Sequence, residues 1–263
     1  MPARVASSAA LTPLSEALAR ALLVPAAPLM RMQGRRVRRE ALRLPEAPGP
    51  REGWPPPQSS ASARRRLLII GDSSAAGVGV ADQSLALSGQ LLKALAGAGA
   101  SAGYWRLIAR TGITAGQLPA LVDQHLSAQV SQTERFDLAV IAVGVNDVTG
   151  ATPLARWRLD LDRLQDRIRR LGITHAIYSG VPPMDRFTAL PQPLRSWMGL
   201  QARRYDRALA EWAVSQPDVT HLAVARLDDP ALLADDGFHP GEAGCALWAR
   251  ELSRVLAPLL QGA

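Results

Sequence analysis

The side chains in this sequence best suited to act together are Ser73, Asn146, Asp236 and His239: a hydroxyl, an amide donor and a carboxylate–imidazole pair. His239 closes the segment Asp235-Asp236-Gly237-Phe238-His239-Pro240, a loop ahead of the last helical stretch. A carboxylate three residues earlier can accept from the imidazole Nδ1–H. That fixes the tautomer whose Nε2 is free to take a proton from a serine hydroxyl. The other histidines read as structural or surface groups, His125 in a helical pattern and His175 and His221 in strands. Two carboxylates beside one imidazole also raise a metal site, but no second His or Cys is placed to complete a ligand set, so no metal or cofactor is expected.

Ser73 follows the apolar run Leu67-Leu-Ile-Ile70 in the stretch Gly71-Asp-Ser-Ser-Ala-Ala-Gly-Val-Gly79. Small residues permit a tight turn that presents Ser73 at the carboxyl edge of a sheet, with backbone N–H groups free at the start of a following helix. Such a loop could instead cradle a phosphate, but the Gly-Lys-Ser/Thr and G-x-G-x-x-G patterns are absent. It could also be a plain turn. Asn146, in Val143-Gly-Val-Asn-Asp147, is either a turn or cap residue or an amide aimed at an atom attacked by Ser73. The second reading follows if strands one and three lie side by side, as they do in a doubly wound sheet. Gly112, after the second strand, is by itself a weak turn signal whose N–H could serve as a further donor.

Gly71-Asp72-Ser73, Gly112, Gly144-x-Asn146-Asp147 and Asp236-x-x-His239 resemble, in order and approximate spacing, the four blocks of the SGNH (GDSL-type) serine hydrolases. The resemblance covers about residues 66 to 260. It implies Ser73 as nucleophile, Asp236 and His239 as the rest of the triad, and an oxyanion hole from the Ser73 and Gly112 backbone amides with the Asn146 side chain. It permits esterase, lipase, thioesterase, acyltransferase or carbohydrate deacetylase activity. Ser74 stands where the motif's name has Leu, a position without a chemical role. No Gly-x-Ser-x-Gly elbow occurs, which argues against the ordinary α/β-hydrolase fold.

These groups need elements to hold them. Short β-type runs at 67–70, 104–109, 138–143, 174–178 and 219–224 alternate with helical patterns, such as Leu154, Trp157, Leu161, Leu164, Ile168 and Leu171 at spacings of three and four. The rhythm predicts a flavodoxin-like three-layer α/β/α sandwich around a five-stranded parallel sheet, with ligands bound beyond the carboxyl ends of the strands. The connection from Val181 to Trp197 leaves at that edge. Its apolar residues, Met184, Phe187 and Trp197 among them, suggest an acyl pocket or lid, or else a rigid loop packed over the sheet. Simple acyl esters or lysophospholipid-like substrates are therefore favoured over sugar acetates. A non-catalytic binding module on the same fold is the alternative from another class, and the intact Ser73, Asn146 and His239 speak against it.

The chain has 263 residues and a formal charge of +7, unevenly placed. Residues 1–66 hold 12 Arg against four Glu, an excess of +8, and the remainder holds 18 basic against 19 acidic residues. A nearly neutral body is a poor match for a nucleic acid, so none is expected as partner. Cys245 is the only cysteine and sits in an apolar helical stretch as a small core residue, so no intramolecular disulfide supports export. The apolar stretch Ala21–Met30 is too short to span a bilayer, which needs ~20 apolar residues, and lacks a cleavage site. With Arg35-Arg-Val-Arg-Arg39 behind it, it can dock on an anionic membrane, lie disordered or pack on the domain. The expected location is cytoplasmic and peripheral to the inner membrane, with the periplasm as alternative. Prolines over residues 44–63 read as an extended linker. The expectation is a basic arm and linker over 1–65, separable from a hydrolase domain over 66–263 and dispensable for turnover.

Overall fold

The strands form because their sequences are apolar on both faces. In a computed structural model, which describes residues 18–19, 21–54, 65–126, 135–224 and 229–261, Leu67, Leu68, Ile69 and Ile70 are all fully buried. They form β2 (Leu67–Gly71). Leu68 and Ile70 face one core and Leu67 and Ile69 the other, the period-two alternation of a strand covered on both sides. Four further parallel strands surround it: β3 (Trp105–Ala109), β4 (Leu138–Ala142), β5 (His175–Ser179) and β6 (Val219–Leu222). The five parallel strands fall in the expected segments.

The sheet nevertheless has six strands, in the order β1-β3-β2-β4-β5-β6. The extra one, β1 (Glu52–Gly53), pairs antiparallel with Trp105 and Arg106 at the edge. It comes from the stretch read as linker. An extended, Pro-flanked segment suits an outer edge, where a backbone needs hydrogen-bond partners on one side only.

Helices α2 (Leu87–Gly97) and α7 (Glu242–Gln261) cover one face. α3 (Leu118–His125), α5 (Leu154–Arg170) and α6 (Leu194–Val214) cover the other, and the short α4 (Val145–Thr149) follows β4. α5 buries Trp157, Leu161, Leu164 and Ile168, the stripe its spacing predicts. Each such side chain contributes about 1.5–3 kcal/mol of burial. Cys245 is buried in α7, and its thiol is pushed up to about 12, chiefly by burial.

The basic arm is attached to this body. Helix α1 (Ala27–Glu40) sets Met30 into the main core, with Ala26, Ala27 and Val37 packed beside it. Gln33 donates from Nε2 to the Gln192 carbonyl (2.7 Å) and accepts from the Leu194 N–H (3.3 Å). Farther on, Ala47 is buried, its carbonyl accepts from Gln83 Nε2 at 3.0 Å, and the Leu107 N–H donates to the Arg51 carbonyl at 2.6 Å. Residues 27–53 are therefore not a separable arm and linker. Removing them would expose core and unpair an edge strand. The Pro55–Pro57 run lies outside the described residues.

Candidate active site

Ser73 stands one residue beyond Asp72, where the chain turns off β2. A Cβ on Gly71 would lie 2.5 Å from Ala75 Cβ and 2.6 Å from the Ala142 carbonyl oxygen, so only glycine lets the turn fold back against β4. The Asp72 N–H donates to Ala142 O (3.1 Å), Asp72 Oδ1 accepts from the Ser74 N–H (3.0 Å), and the Val78 N–H closes onto Ser73 O (3.0 Å). The helix expected directly behind Ser73 is absent, and α2 begins only at Leu87. Gly77 (φ +81°) and Gly79 (φ +104°) adopt left-handed conformations that end helical progress.

The structure brings His239 to this turn. Its Nε2 lies 2.8 Å from Ser73 Oγ, and its Nδ1 lies 2.6 Å from Asp236 Oδ2. Asp236 is itself fixed, because Oδ1 accepts from the backbone N–H groups of Phe238 (3.0 Å) and His239 (2.9 Å). Gly79 makes room for the loop, since a Cβ there would meet Ala234 Cβ at 2.9 Å and His239 Cβ at 3.3 Å. The His239 side chain is 15% exposed and that of Asp236 5%, so solvent reaches the imidazole but scarcely the carboxylate. Burial acts to raise the Asp236 pKa, but the His239 ring and the two N–H donors outweigh it and hold the carboxylate below its usual range. Asp236 is thus an ionised group that orients the imidazole. His125, His175 and His221 lie away from the site, His175 bonded to Thr220 and His221 to Asp206.

Asn146 sits in the first turn of α4, entered through Gly144 at φ +131°. Its Nδ2 donates to the Ile113 carbonyl (2.9 Å) and lies 3.4 Å from Asp72 Oδ2, joining the loop after β3 to the Ser73 turn. Gly112, at φ +80°, lies in that loop. The N–H groups of Ser73 and Gly112 have no hydrogen-bond acceptor among the described residues. If Asn146 donates to a developing oxyanion, Asn146→Ala lowers kcat by roughly 10² to 10³ with KM little changed. A merely tying role would instead lower the melting temperature and spare kcat, so measuring both separates the two.

A clamp on this loop has no signal in the sequence. Glu46 Oε1 accepts from the Thr111 N–H (2.7 Å) and hydroxyl (2.8 Å), while its Oε2 accepts from Arg51 Nη2 (2.6 Å). Arg51 Nη1 in turn donates to the Ala109 carbonyl (3.0 Å). The segment read as linker thus fixes the residue next to Gly112. Burial acts to raise the Glu46 pKa, yet the Thr111 and Arg51 donors leave it lowered.

Two buried carboxyls flank the site. Burial, opposed by the Ser74 N–H and His239 and reinforced by Asp147, pushes Asp72 up to about 6. Asp147, whose Oδ2 accepts from the Ala115 N–H (3.0 Å), is likewise pushed up to about 6 by burial against that donor. A carboxyl whose folded pKa exceeds its unfolded value of 3.8 lets the folded state hold more protons between pH 4 and 6. Stability therefore falls as pH rises through that window. Asp147→Asn keeps an acceptor for Ala115 and removes the charge. It is expected to stabilise the protein by about 2–3 kcal/mol at pH 8 and by little at pH 4. Melting curves at the two pH values check this, and an equal effect at both would show that charge burial is not the cause.

The substrate contacts expected from the Val181–Trp197 connection need correction. Met184 is completely buried beneath α6, and Trp197 packs partly buried against the same core. Neither lines the two cavities of about 40 and 250 Å³ that border the Ser73 turn and His239. Phe187 lines a small cavity of about 40 Å³ beside the Ser73 turn, and its ring lies 4.7 Å from the tilted ring of Phe238, which meets His239 edge-on at 5.2 Å. It supports the imidazole from behind. A chamber of about 250 Å³ opens at His239 and is lined instead by Leu190, Leu194 and Met198. Among the described residues no three His, Cys, Asp or Glu side chains gather as a metal site.

A profile of the GDSL-like Lipase/Acylhydrolase family matches residues 69–247. No curated protein matches the chain. Solved structures share the fold at low identity. A protein of Slackia heliotrinireducens assigned to the SGNH hydrolases is 20% identical, with TM-score 0.55 over 73% of this chain and 99% of its own. A carbohydrate esterase family 3 protein of Talaromyces cellulolyticus is 16% identical, with TM-score 0.57 over 76% and 99%. The acetylxylan esterase Axe2 of Geobacillus stearothermophilus, as a catalytic mutant, is 19% identical, with TM-score 0.52 over 72% and 93%. The match spans the Ser73 turn, the Asn146 exit and the His239 loop, and the chain belongs to the GDSL-like lipase/acylhydrolase family as an ester-bond hydrolase on an SGNH fold.

Proposed function

We propose that this enzyme cleaves carboxylic esters through an acyl-enzyme on Ser73. His239 Nε2 takes the Ser73 proton as Oγ attacks the ester carbonyl, and the Ser73 and Gly112 N–H groups with the Asn146 amide bind the oxyanion. His239 then gives that proton to the departing alkoxide. Water, activated by the same imidazole, attacks the acyl-enzyme and releases the acid and Ser73. The observation that carries this reading is the unbroken hydrogen-bond chain from Ser73 Oγ through His239 to Asp236, at 2.8 and 2.6 Å.

The substrate is an acyl ester of lysophospholipid type, taken from an anionic membrane surface. Six of the nine large apolar side chains exposed among the described residues lie in the arm: Leu18, Leu22, Val24, Leu29, Met32 and Leu42. They accompany Arg31, Arg35, Arg38 and Arg43, for which no ion pair occurs among the described residues. Apolar insertion together with cationic attraction is the pairing that interfacial binding uses. No described helix is long and apolar enough to cross a membrane. A second reading, a sugar O-deacetylase, is prompted by the carbohydrate and acetylxylan esterases among the structural neighbours.

One experiment separates the two. On vesicles containing anionic lipid and a lysophospholipid, the enzyme should sediment with the vesicles at low salt, release fatty acid, and detach as salt screens the arginines. Acetylated xylo-oligosaccharide should be cleaved at least tenfold less efficiently. Faster deacetylation with no vesicle binding would replace this reading by the second.

A further inference from the structure

We propose that helix α1, which precedes every residue matched by the family profile, is the acyl-specificity element of this enzyme. It forms the outer wall of the chamber that opens at His239. The proposal rests on the Ser73–His239 reading above.

The chamber has two sides. Leu190, Leu194 and Met198 of the domain form one, while Val37 and Leu42 of the arm form the other. His239 and Phe238 also line it, so a chain lying in it runs beside the imidazole. At about 250 Å³ it has room for a chain of several carbons. The cavity beneath the Ser73 turn, at about 40 Å³, has room for little more than a water. Of these two spaces, which both border the Ser73–His239 pair, the chamber is the one large enough for an acyl chain.

The wall is held in place. Gln33 grips the chain on both sides of Pro193 through its bonds to Gln192 O and Leu194 N–H, at the start of the helix that supplies Leu194 and Met198. Met30 anchors the same helix in the core. The two walls are thus one built unit. An acyl chain between them loses water on both faces, worth about fourfold in kcat/KM per methylene buried. An acetyl group has no methylene to bury there.

The test uses the full chain and nitrophenyl esters from acetate to decanoate. Wild-type kcat/KM should climb with chain length to a maximum among medium chains. Val37→Trp, which fills the chamber, should lower the octanoate-to-acetate ratio at least tenfold, and Leu42→Asp, at an exposed position that the fold tolerates, at least threefold. Fluorophosphonate labelling of Ser73 is read in parallel. A labelled Leu42→Asp protein whose ratio moves less than twofold overturns the proposal and leaves the catalytic reading standing. Loss of Ser73 labelling in the wild type would instead remove the catalytic reading itself.

Discussion

Asp236→Asn is expected to lower kcat by roughly 10³ to 10⁴ while KM and the melting temperature change little. The size follows from which atoms Asp236 already engages. Oδ1 accepts from the Phe238 and His239 backbone N–H groups, and an asparagine there must keep its oxygen on those donors. Its NH₂ group then faces His239 Nδ1, where a carboxylate oxygen stood at 2.6 Å. A donor at that point favours the tautomer with the proton on Nε2, and that nitrogen can no longer take a proton from Ser73. The imidazolium also loses a neighbouring charge. Steady-state kinetics on a soluble ester check the effect, and a loss below tenfold would mean that Asp236 neither orients nor supports the imidazole.

Much of this site was legible in the sequence because its parts are local. Ser73, Asn146 and Gly112 each follow a short β-type run, and parallel strands deliver their exits to one edge. Asp236 and His239 are three residues apart, so their contact needs only a turn. The β3-β2-β4 order then brings Asn146 to Ser73, as the doubly wound pattern predicts.

What the sequence hid depends on contacts between distant residues. Glu46 and Thr111 meet across 65 positions, and a lone Glu in a Pro-rich stretch carries no mark of that partner. The same composition suits a free linker and an edge strand alike, so residues 46–53 read as the first, while Glu52–Gly53 pair as the second and the residues before them pack on the body. Gln33 meets Leu194 across 161 positions, and with it the arm is fixed against the start of α6. Met184 and Trp197 pack on the core for a related reason. An apolar residue in an active-edge loop can face the ligand or the core, and only the packing of α6 decides between them. One local sign was available, in Gly79, six residues past Ser73. Its left-handed backbone and missing Cβ make room for the His239 loop.

The arm's attachment also revises what its removal should do. A chain starting at residue 63 would lack Met30, Ala47, β1 and the Glu46 clamp on Thr111. Membrane binding and catalysis therefore cannot be separated by truncation there, and point substitutions on the arm are the cleaner instrument.

Covalent capture of Ser73 tests the central claim most directly. A fluorophosphonate phosphonylates only a serine whose proton has a base to receive it, and among the described residues Ser73 is the serine with an imidazole nitrogen at 2.8 Å. One adduct per chain is expected, mapped to the peptide carrying Ser73. None is expected in Ser73→Ala, whose ester hydrolysis falls by on the order of 10⁴ or more. An adduct on another serine, or a Ser73→Ala enzyme retaining more than about 1% of wild-type turnover, would contradict it.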